Sequence, residues 1–120
     1  MVFASTTSRF SDPSENQVSD VVQYSGKKLG RRFTWAGPTI TIGSGPDADI
    51  VIEEESVSPI HARLTREPSG YYVEDLGSQR GTFLLDVKVD GRKRFIDGDV
   101  FRFGDVIVKF FAGQSIELLR

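Results

Sequence analysis

Cysteine is absent from the 120-residue chain, so neither disulfide bonds nor thiolate metal sites hold its fold. Histidine occurs once, as His61, and a structural zinc site would then have to be built from carboxylates, so no metal or cofactor is expected. The net charge of −2 lacks the basic excess that is typical of nucleic-acid-binding domains. No apolar run approaches the length of a membrane span, and no apolar signal segment opens the chain. These absences predict a cytoplasmic protein that binds neither nucleic acid nor membrane.

The chain also lacks any stretch with the apolar periodicity of a helix. Thr39–Ile42 instead alternates hydroxyl-bearing and aliphatic side chains, which is typical of a half-buried strand. Other short apolar runs, such as Phe83–Leu85, are predicted as further strands. Asp90-Gly91 and Gly104-Asp105 are predicted to form hairpin turns. Because the twelve glycines recur at turn spacing, the sequence predicts an all-β sandwich of roughly ten or eleven short strands.

Composition divides the chain into three parts around one domain. Residues 1–20 are polar and rich in hydroxyls, and we expect them to form a flexible N-terminal tail. Residues 21–111 carry the short apolar runs and are predicted to form the sandwich. Residues 112–120 are interpreted as a C-terminal extension or last strand that leads to a further domain of the parent protein.

Two stretches, Ser56–His61 and Leu76–Phe83, have the period of neither a strand nor a helix. Both are rich in hydroxyls and turn formers and lie between apolar runs, which is the pattern of a β scaffold that presents functional loops. His61 follows Ser58 by three residues, so the pair could be a nucleophile and its base, or His61 could bond to neighbouring backbone and lock the loop. We favour the locking role because no oxyanion-hole glycine pattern or triad order accompanies the pair. The chain is therefore not expected to be an enzyme.

Seven short motifs in the chain, in their order and spacing, resemble those of the forkhead-associated (FHA) domain. They are Ile42-Gly43, Asp49–Ile52, Val57–Ala62, Asp75–Ser78, Gly81–Phe83, Asp97–Asp99 and Phe103-Gly104. The resemblance extends from about Val21 to Phe111. It implies a β-sandwich of eleven short, mostly antiparallel strands that binds phosphothreonine peptides through loops at one end and is not catalytic.

The resemblance also implies roles for individual residues. Ser58, Gly81 and Thr82 are expected to contact the peptide, whereas Gly43 and His61 are expected to structure the loops. Ser58 would offer the phosphate a hydroxyl and a backbone N–H.

Three positions depart from the family pattern. Ser44 stands where the family has a phosphate-binding arginine, Pro59 where it often has a basic residue, and Arg80 where it has a peptide-binding asparagine. A phosphothreonine brings a charge of about −1.5 to −2, so its site needs hydrogen-bond donors and preferably a guanidinium. Ser44 retains a hydroxyl and is still expected to face the phosphopeptide. Arg80 is predicted to supply the missing cation, with Arg63 as a second candidate.

Two functions remain open at this point. From Thr39 to Ala62 the chain has no lysine or arginine but five carboxylates, which disfavours phosphate binding. The first function is a phosphothreonine-peptide binding module of signalling or regulation. The alternative is a phosphate-independent interaction or dimerisation module that keeps the FHA fold and has lost the arginine. We favour the first because the serine, histidine, glycine and threonine of the family pattern all persist.

The expected partner is a protein or peptide that contains phosphothreonine. Thr6 and Thr7 in the tail are candidates for such a ligand once phosphorylated, in the same chain or in another copy. The simpler alternative is that the tail is only a leader to the domain.

Overall fold

The computed structural model describes residues 19–35 and 37–112, which form eleven β-strands. The strands are β1 (Ser19–Gln23), β2 (Arg32–Trp35), β3 (Thr39–Gly43), β4 (Ile50–Val51), β5 (Ala62–Glu67), β6 (Gly70–Asp75), β7 (Thr82–Leu84), β8 (Val87–Lys88), β9 (Arg92–Phe95), β10 (Val100–Phe103) and β11 (Val106–Phe111). One sheet has the order β9-β6-β5-β3-β4 and the other β2-β1-β11-β10-β7-β8. Only the β3–β4 pairing is parallel among the described strands, and this confirms the predicted sandwich of about eleven mostly antiparallel strands.

Aromatic rings join the two sheets. The ring of Phe95, from the five-stranded sheet, packs edge-on against Phe101 and Phe110 of the six-stranded sheet, with ring centroids 4.7 and 4.8 Å apart. The ring centroid of Trp35 lies 6.0 Å from that of Phe110, and both side chains are fully buried. Large rings bury much apolar area each, so this cluster supplies a substantial part of the core.

The turns were only partly predictable. Gly104-Asp105 joins β10 to β11 in a tight hairpin, as predicted. The hairpin prediction for Asp90-Gly91 is wrong, because β8 and β9 lie in different sheets and the chain crosses between them there. The hairpin turn of this region is instead Leu85-Asp86, where φ is +51° and +68°. Leu85, predicted as part of a strand, therefore belongs to a turn.

Strand β1 begins earlier in the sequence than the composition suggested. Ser19 and Asp20, assigned to the tail by the sequence, pair with Trp35 and Thr34 of β2, and Ser19 is fully buried. The rest of the predicted tail, residues 1–18, and most of the C-terminal extension, residues 113–120, lie outside the described residues. Within the described part, no helix has the length and apolarity that a membrane crossing requires.

Among the connections at one end of the sandwich, four lie around Ser56 and Ser58. They are residues 44–49 between β3 and β4, 52–61 between β4 and β5, 76–81 between β6 and β7, and 104–105 between β10 and β11. Ser58 accepts hydrogen bonds from the first and third connections, at its carbonyl and its hydroxyl oxygen. The fourth joins them because the Asp105 N–H donates to Ser56 Oγ. These bonds make the four connections one surface.

Candidate functional site

His61 connects the two loops that the sequence singled out. Its Nδ1 accepts a hydrogen bond of 3.0 Å from the Ser58 N–H, and its Nε2 donates to the Gly81 carbonyl at 2.9 Å. The imidazole is fully buried and lies edge-on to the Phe103 ring, 5.8 Å between centroids. The ring therefore holds Ser58 and Gly81 at a set separation from beneath the surface.

This geometry defines the protonation state of the histidine. An Nδ1 that accepts and an Nε2 that donates are those of the neutral imidazole. Burial lowers the pKa of His61, against smaller opposite effects of the Gly81 carbonyl and the Asp75 charge. Both ring nitrogens are bonded to backbone groups, so neither is available as a base for the Ser58 hydroxyl. The structure thus excludes the nucleophile-and-base interpretation of this pair.

The lowered pKa predicts a pH-dependent stability. The folded pKa of His61 lies below the ordinary value of 6.5, so the unfolded chain binds more protons as the pH falls below that value. The contribution of His61 to the free energy of unfolding should therefore be fully present above pH 6.5. It should decrease as the pH falls towards the folded pKa. Urea unfolding at a series of pH values measures this, with His61→Gln as a control that has no titrating group at this position. A wild-type profile as flat as that of the variant down to the carboxylate range would contradict the prediction.

Ser44 connects the loop of residues 44–49 to the loop of residues 52–61, and its hydroxyl hydrogen does not point outwards. Its Oγ–H donates to the Val57 carbonyl at 2.7 Å, and its N–H donates to the Ser58 carbonyl at 2.9 Å. The preceding Gly43 leaves room for this contact, because a Cβ there would lie 2.0 Å from the Pro59 carbonyl oxygen. The position of the family arginine is therefore occupied by a residue whose two donors are both used within the protein.

Asp75, which the sequence analysis did not select as a site residue, organises the loop between β6 and β7. Its carboxylate accepts hydrogen bonds from the hydroxyls of Ser78 and Thr82 and from the N–H groups of Gly77 and Ser78. Burial by itself raises the pKa of Asp75, but these hydrogen bonds outweigh it and hold the pKa below its usual value. The signal in the sequence was an aspartate two residues before a glycine and three before a serine, which is typical of an Asx-turn.

The same network corrects the prediction for Thr82. This residue was expected to contact the peptide, but it is fully buried and its hydroxyl donates to Asp75 at 2.7 Å. Thr82 therefore supports the loop from below. Gly81 also contributes through its backbone, since its carbonyl accepts from His61 and from the Gly104 N–H and its φ is +92°.

The exposed groups of the site are fewer than the sequence suggested. The Ser58 N–H, expected to face a phosphate, is bonded to His61, so the hydroxyl is the donor that Ser58 retains. That hydroxyl oxygen accepts from the Gln79 N–H at 3.0 Å, which leaves its own hydrogen for another acceptor. Gln79 is exposed beside it and is a second residue that the sequence analysis missed, because only the folded chain brings it to Ser58.

Arg80 is an exposed cation at this end of the molecule. Its side chain is 60% exposed, and its guanidinium lies 4.0 Å from the Asp105 carboxylate. Both line an open cavity of about 450 Å³ together with Lys27, Glu54 and Glu55. An exposed pair of this kind contributes at most about 1 kcal/mol, so the guanidinium can turn to another anion at small cost. Arg63, the second candidate cation, is instead bonded to Glu74 on the outer face of the five-stranded sheet.

Comparison with known proteins agrees with this architecture. The FHA domain family model matches residues 40–104, from β3 to the end of β10. FhaB of Mycobacterium tuberculosis is 36% identical over 84 residues, which cover 70% of this chain and 54% of FhaB, so the chain spans about half the length of that relative.

Solved structures show the same fold. EmbR of Mycobacterium tuberculosis, solved in complex with a low-affinity phosphopeptide, is 26% identical with a TM-score of 0.71 over 78% of this chain and 24% of EmbR. The FHA domain of CT664 from Chlamydia trachomatis is 24% identical with a TM-score of 0.73 over 78% of this chain and 96% of that one. With the family model covering more than half of the chain, including the loops that carry Ser44, Ser58 and Arg80, this protein belongs to the FHA domain family.

Proposed function

We propose that the chain is a non-catalytic, phosphothreonine-dependent peptide-binding module that acts in the cytoplasm in signalling or regulation. The observation that carries the proposal is the buried His61, which holds Ser58 and Gly81 together and so makes the two loops one binding surface. The phosphate would be bound by the Ser58 hydroxyl and the Arg80 guanidinium. EmbR, of similar fold, binds a phosphopeptide, which supports this assignment.

The charges of the site define how strong the binding should be. Ser44 supplies no guanidinium, and the loss of one charge-assisted hydrogen bond costs about 1.5–3 kcal/mol, or roughly ten- to a hundredfold in affinity. Asp105 and Glu55 next to Arg80 reduce the positive potential further. We therefore expect a phosphate-dependent but weak site whose preference for phosphate depends on Arg80.

Calorimetric titration with a matched pair of phosphorylated and plain threonine peptides tests this function. The phosphorylated peptide should bind more tightly, Arg80→Ala should remove about a factor of ten of that preference, and Ser44→Arg should increase it. Arg92→Ala is the matched control, because it removes an exposed arginine from the five-stranded sheet away from these loops.

Equal binding of both peptides would contradict the proposal in favour of the phosphate-independent alternative. The bonded state of the Ser44 hydroxyl and the carboxylates around Arg80 are the observations that favour that alternative. A full phosphate preference in Arg80→Ala would show that Arg80 is not the cation.

The N-terminal part of this chain is itself a candidate partner. We propose that Thr6 or Thr7, once phosphorylated, is bound by this site in the same chain or in another copy. A ligand carried by the same chain acts at an effective concentration of about millimolar, which makes even a weak site useful. The same titration, repeated with a phosphorylated Met1–Asp12 peptide, tests this partner separately from the function itself.

A further inference from the structure

The outer face of the six-stranded sheet alternates basic and apolar side chains across its strands. Beside the row Phe111–Asp20–Thr34 across β11, β1 and β2, the pairing register defines two rows with cations on this face. They are Ile107–Arg102–Phe83–Lys88 across β11, β10, β7 and β8, and Val100–Lys109–Val22–Arg32 across β10, β11, β1 and β2. Alternate residues of the same strands, such as Phe101, Val108 and Val21, face the core and are buried. We call the outward surface formed by these two rows the basic face.

The central cations of the basic face have no acidic partner. Arg102 lies 4.0 Å above the Phe83 ring, and Lys109 lies 5.3 Å from the Phe111 ring. Neither forms an ion pair with any carboxylate of residues 19–35 or 37–112. The carboxylates nearby are Asp20, which is bonded to Arg32 at 2.5 Å, and Asp86 in the turn at the sheet edge. A net positive charge therefore remains on this face, although the whole chain is slightly acidic.

The five-stranded sheet carries cations of its own, and two of them are paired with carboxylates. On the five-stranded sheet, Arg63 is bonded to Glu74 at 2.7 Å and Arg92 to Glu67 at 2.6 Å. Those two cations are neutralised within the protein, whereas Arg94 of β9, like Arg102 and Lys109, forms no ion pair with a carboxylate of the described residues. The six-stranded sheet differs in that its two unpaired cations, Arg102 and Lys109, lie on the neighbouring strands β10 and β11, where Arg102 borders an apolar groove.

An apolar groove opens on the basic face. It has a volume of about 250 Å³ and is lined by Leu85, Val100, Phe101 and Ile107, with Arg102 and Asp86 at its sides. Leu85 and Ile107 are 57% and 38% exposed, which is high for aliphatic side chains of this size.

The turn between β1 and β2 continues this character next to Ile107, at the end of the sheet that also carries the loops of the candidate site. Besides Lys27, which belongs to the cavity beside Arg80, it carries Lys28 and Arg31. It also exposes Leu29 and Tyr24, which line a second groove of about 290 Å³. Basic and apolar groups are thus interleaved over the whole length of the sheet.

We infer that the basic face is a second docking surface, separate from the phosphothreonine site, which binds an acidic polypeptide segment with apolar anchor residues on a partner protein. Charge complementarity demands an anionic occupant, and the grooves beside Arg102 and beneath the β1–β2 turn accept single side chains. A lipid surface is distinguished from such a segment by vesicle binding, because Leu29 and Leu85 are exposed enough to enter one. A second copy of the chain would bring its own basic face and be repelled in a face-to-face dimer.

Nuclear magnetic resonance titration of the full chain tests this inference. The probe is a short synthetic peptide of glutamate, leucine and phenylalanine without serine or threonine, compared with the same peptide carrying glutamine for glutamate. We expect chemical-shift changes centred on Arg102, Ile107 and Lys109 with the acidic peptide, and weakening as salt is added. The double variant Arg102→Glu, Lys109→Glu should lower the affinity by at least about tenfold. The matched control Arg92→Glu, Arg94→Glu carries the same change in charge on the other sheet and should leave the affinity within about twofold.

Several outcomes would overturn the inference. The first is that no chemical shift changes at millimolar peptide, or that the glutamine peptide binds as tightly as the acidic one. The second is that the shift changes are centred on Ser58 and Arg80. The third is that both double variants lose the same amount of affinity. Binding to phosphatidylserine vesicles without binding of the acidic peptide would assign the face to a membrane. Self-association that the double variant abolishes, again without peptide binding, would assign it to a second copy. Since the probe has no phosphate, failure here leaves the phosphothreonine titration unaffected.

Discussion

Replacing His61 with alanine is expected to lower the free energy of unfolding by about 3 kcal/mol and to abolish detectable peptide binding. The variant loses both bonds of the imidazole, leaves the Ser58 N–H without its acceptor, and opens a cavity beside Phe103. A buried donor left unsatisfied and a large-to-small change in the core each contribute to this cost. Binding should fail because Ser58 and Gly81 are then no longer held at a set separation. Urea unfolding and calorimetric titration measure the two effects.

A second variant separates the two bonds of the ring. In His61→Asn the side-chain carbonyl oxygen takes a position similar to that of Nδ1 and can accept from the Ser58 N–H, but the side chain is too short for the Gly81 carbonyl. We expect a stability between those of wild type and His61→Ala. If His61→Ala bound the phosphopeptide normally at unchanged stability, the role given to this histidine would be wrong.

Gly43→Ala is expected to destabilise the protein by about 3 kcal/mol or more and to weaken peptide binding strongly. An added Cβ would lie 2.0 Å from the Pro59 carbonyl oxygen and 2.6 Å from its carbonyl carbon. These are backbone atoms, so the contact is relieved only if the loop that carries Ser58 moves away from the loop that carries Ser44. The hydrogen bonds between Ser44 and the Val57 and Ser58 carbonyls would then lengthen or break.

The matched control for this substitution is Gly37→Ala. A Cβ at Gly37 meets no atom within 4 Å and its φ is not in the left-handed region, so the change should alter stability by less than about 0.5 kcal/mol. Thermal or urea unfolding of the two variants side by side measures the difference. Equal stabilities would show that the loop yields freely, and the rigid two-loop surface would then be the wrong description of the site.

Local patterns in the sequence determined the architecture of this protein. The alternation of Thr39–Ile42 and the spacing of the glycines predict a β-sandwich, because strand period and turn chemistry depend on near neighbours. The family motifs likewise depend on short stretches, and they identified the end of the sandwich where the loops meet. The absence of helical periodicity was equally informative, since no helix occurs in the part of the chain that the structure describes.

Other features were decided only by the tertiary structure, because they depend on residues distant in the chain. Thr82 is held in the interior by the hydrogen bond from its hydroxyl to Asp75, on the other side of the loop. Gln79 is held at the site by the hydrogen bond from its N–H to the Ser58 hydroxyl oxygen. The Leu85-Asp86 turn contains no glycine or asparagine from which it could be predicted. Its positive φ values follow from the pairing of the flanking strands.

The charge distribution of the surface was likewise decided only by the tertiary structure. Neither the composition nor the net charge of the chain reveals that carboxylates neutralise Arg63 and Arg92 of one sheet and leave Arg102 and Lys109 of the other without an acidic partner among the described residues. The pairing register decides which side chains share a face, and the register results from the packing of the whole sandwich. The sequence by itself therefore determined the fold and the end that carries the loops, whereas tertiary packing decided which of its polar groups remain free to bind a partner.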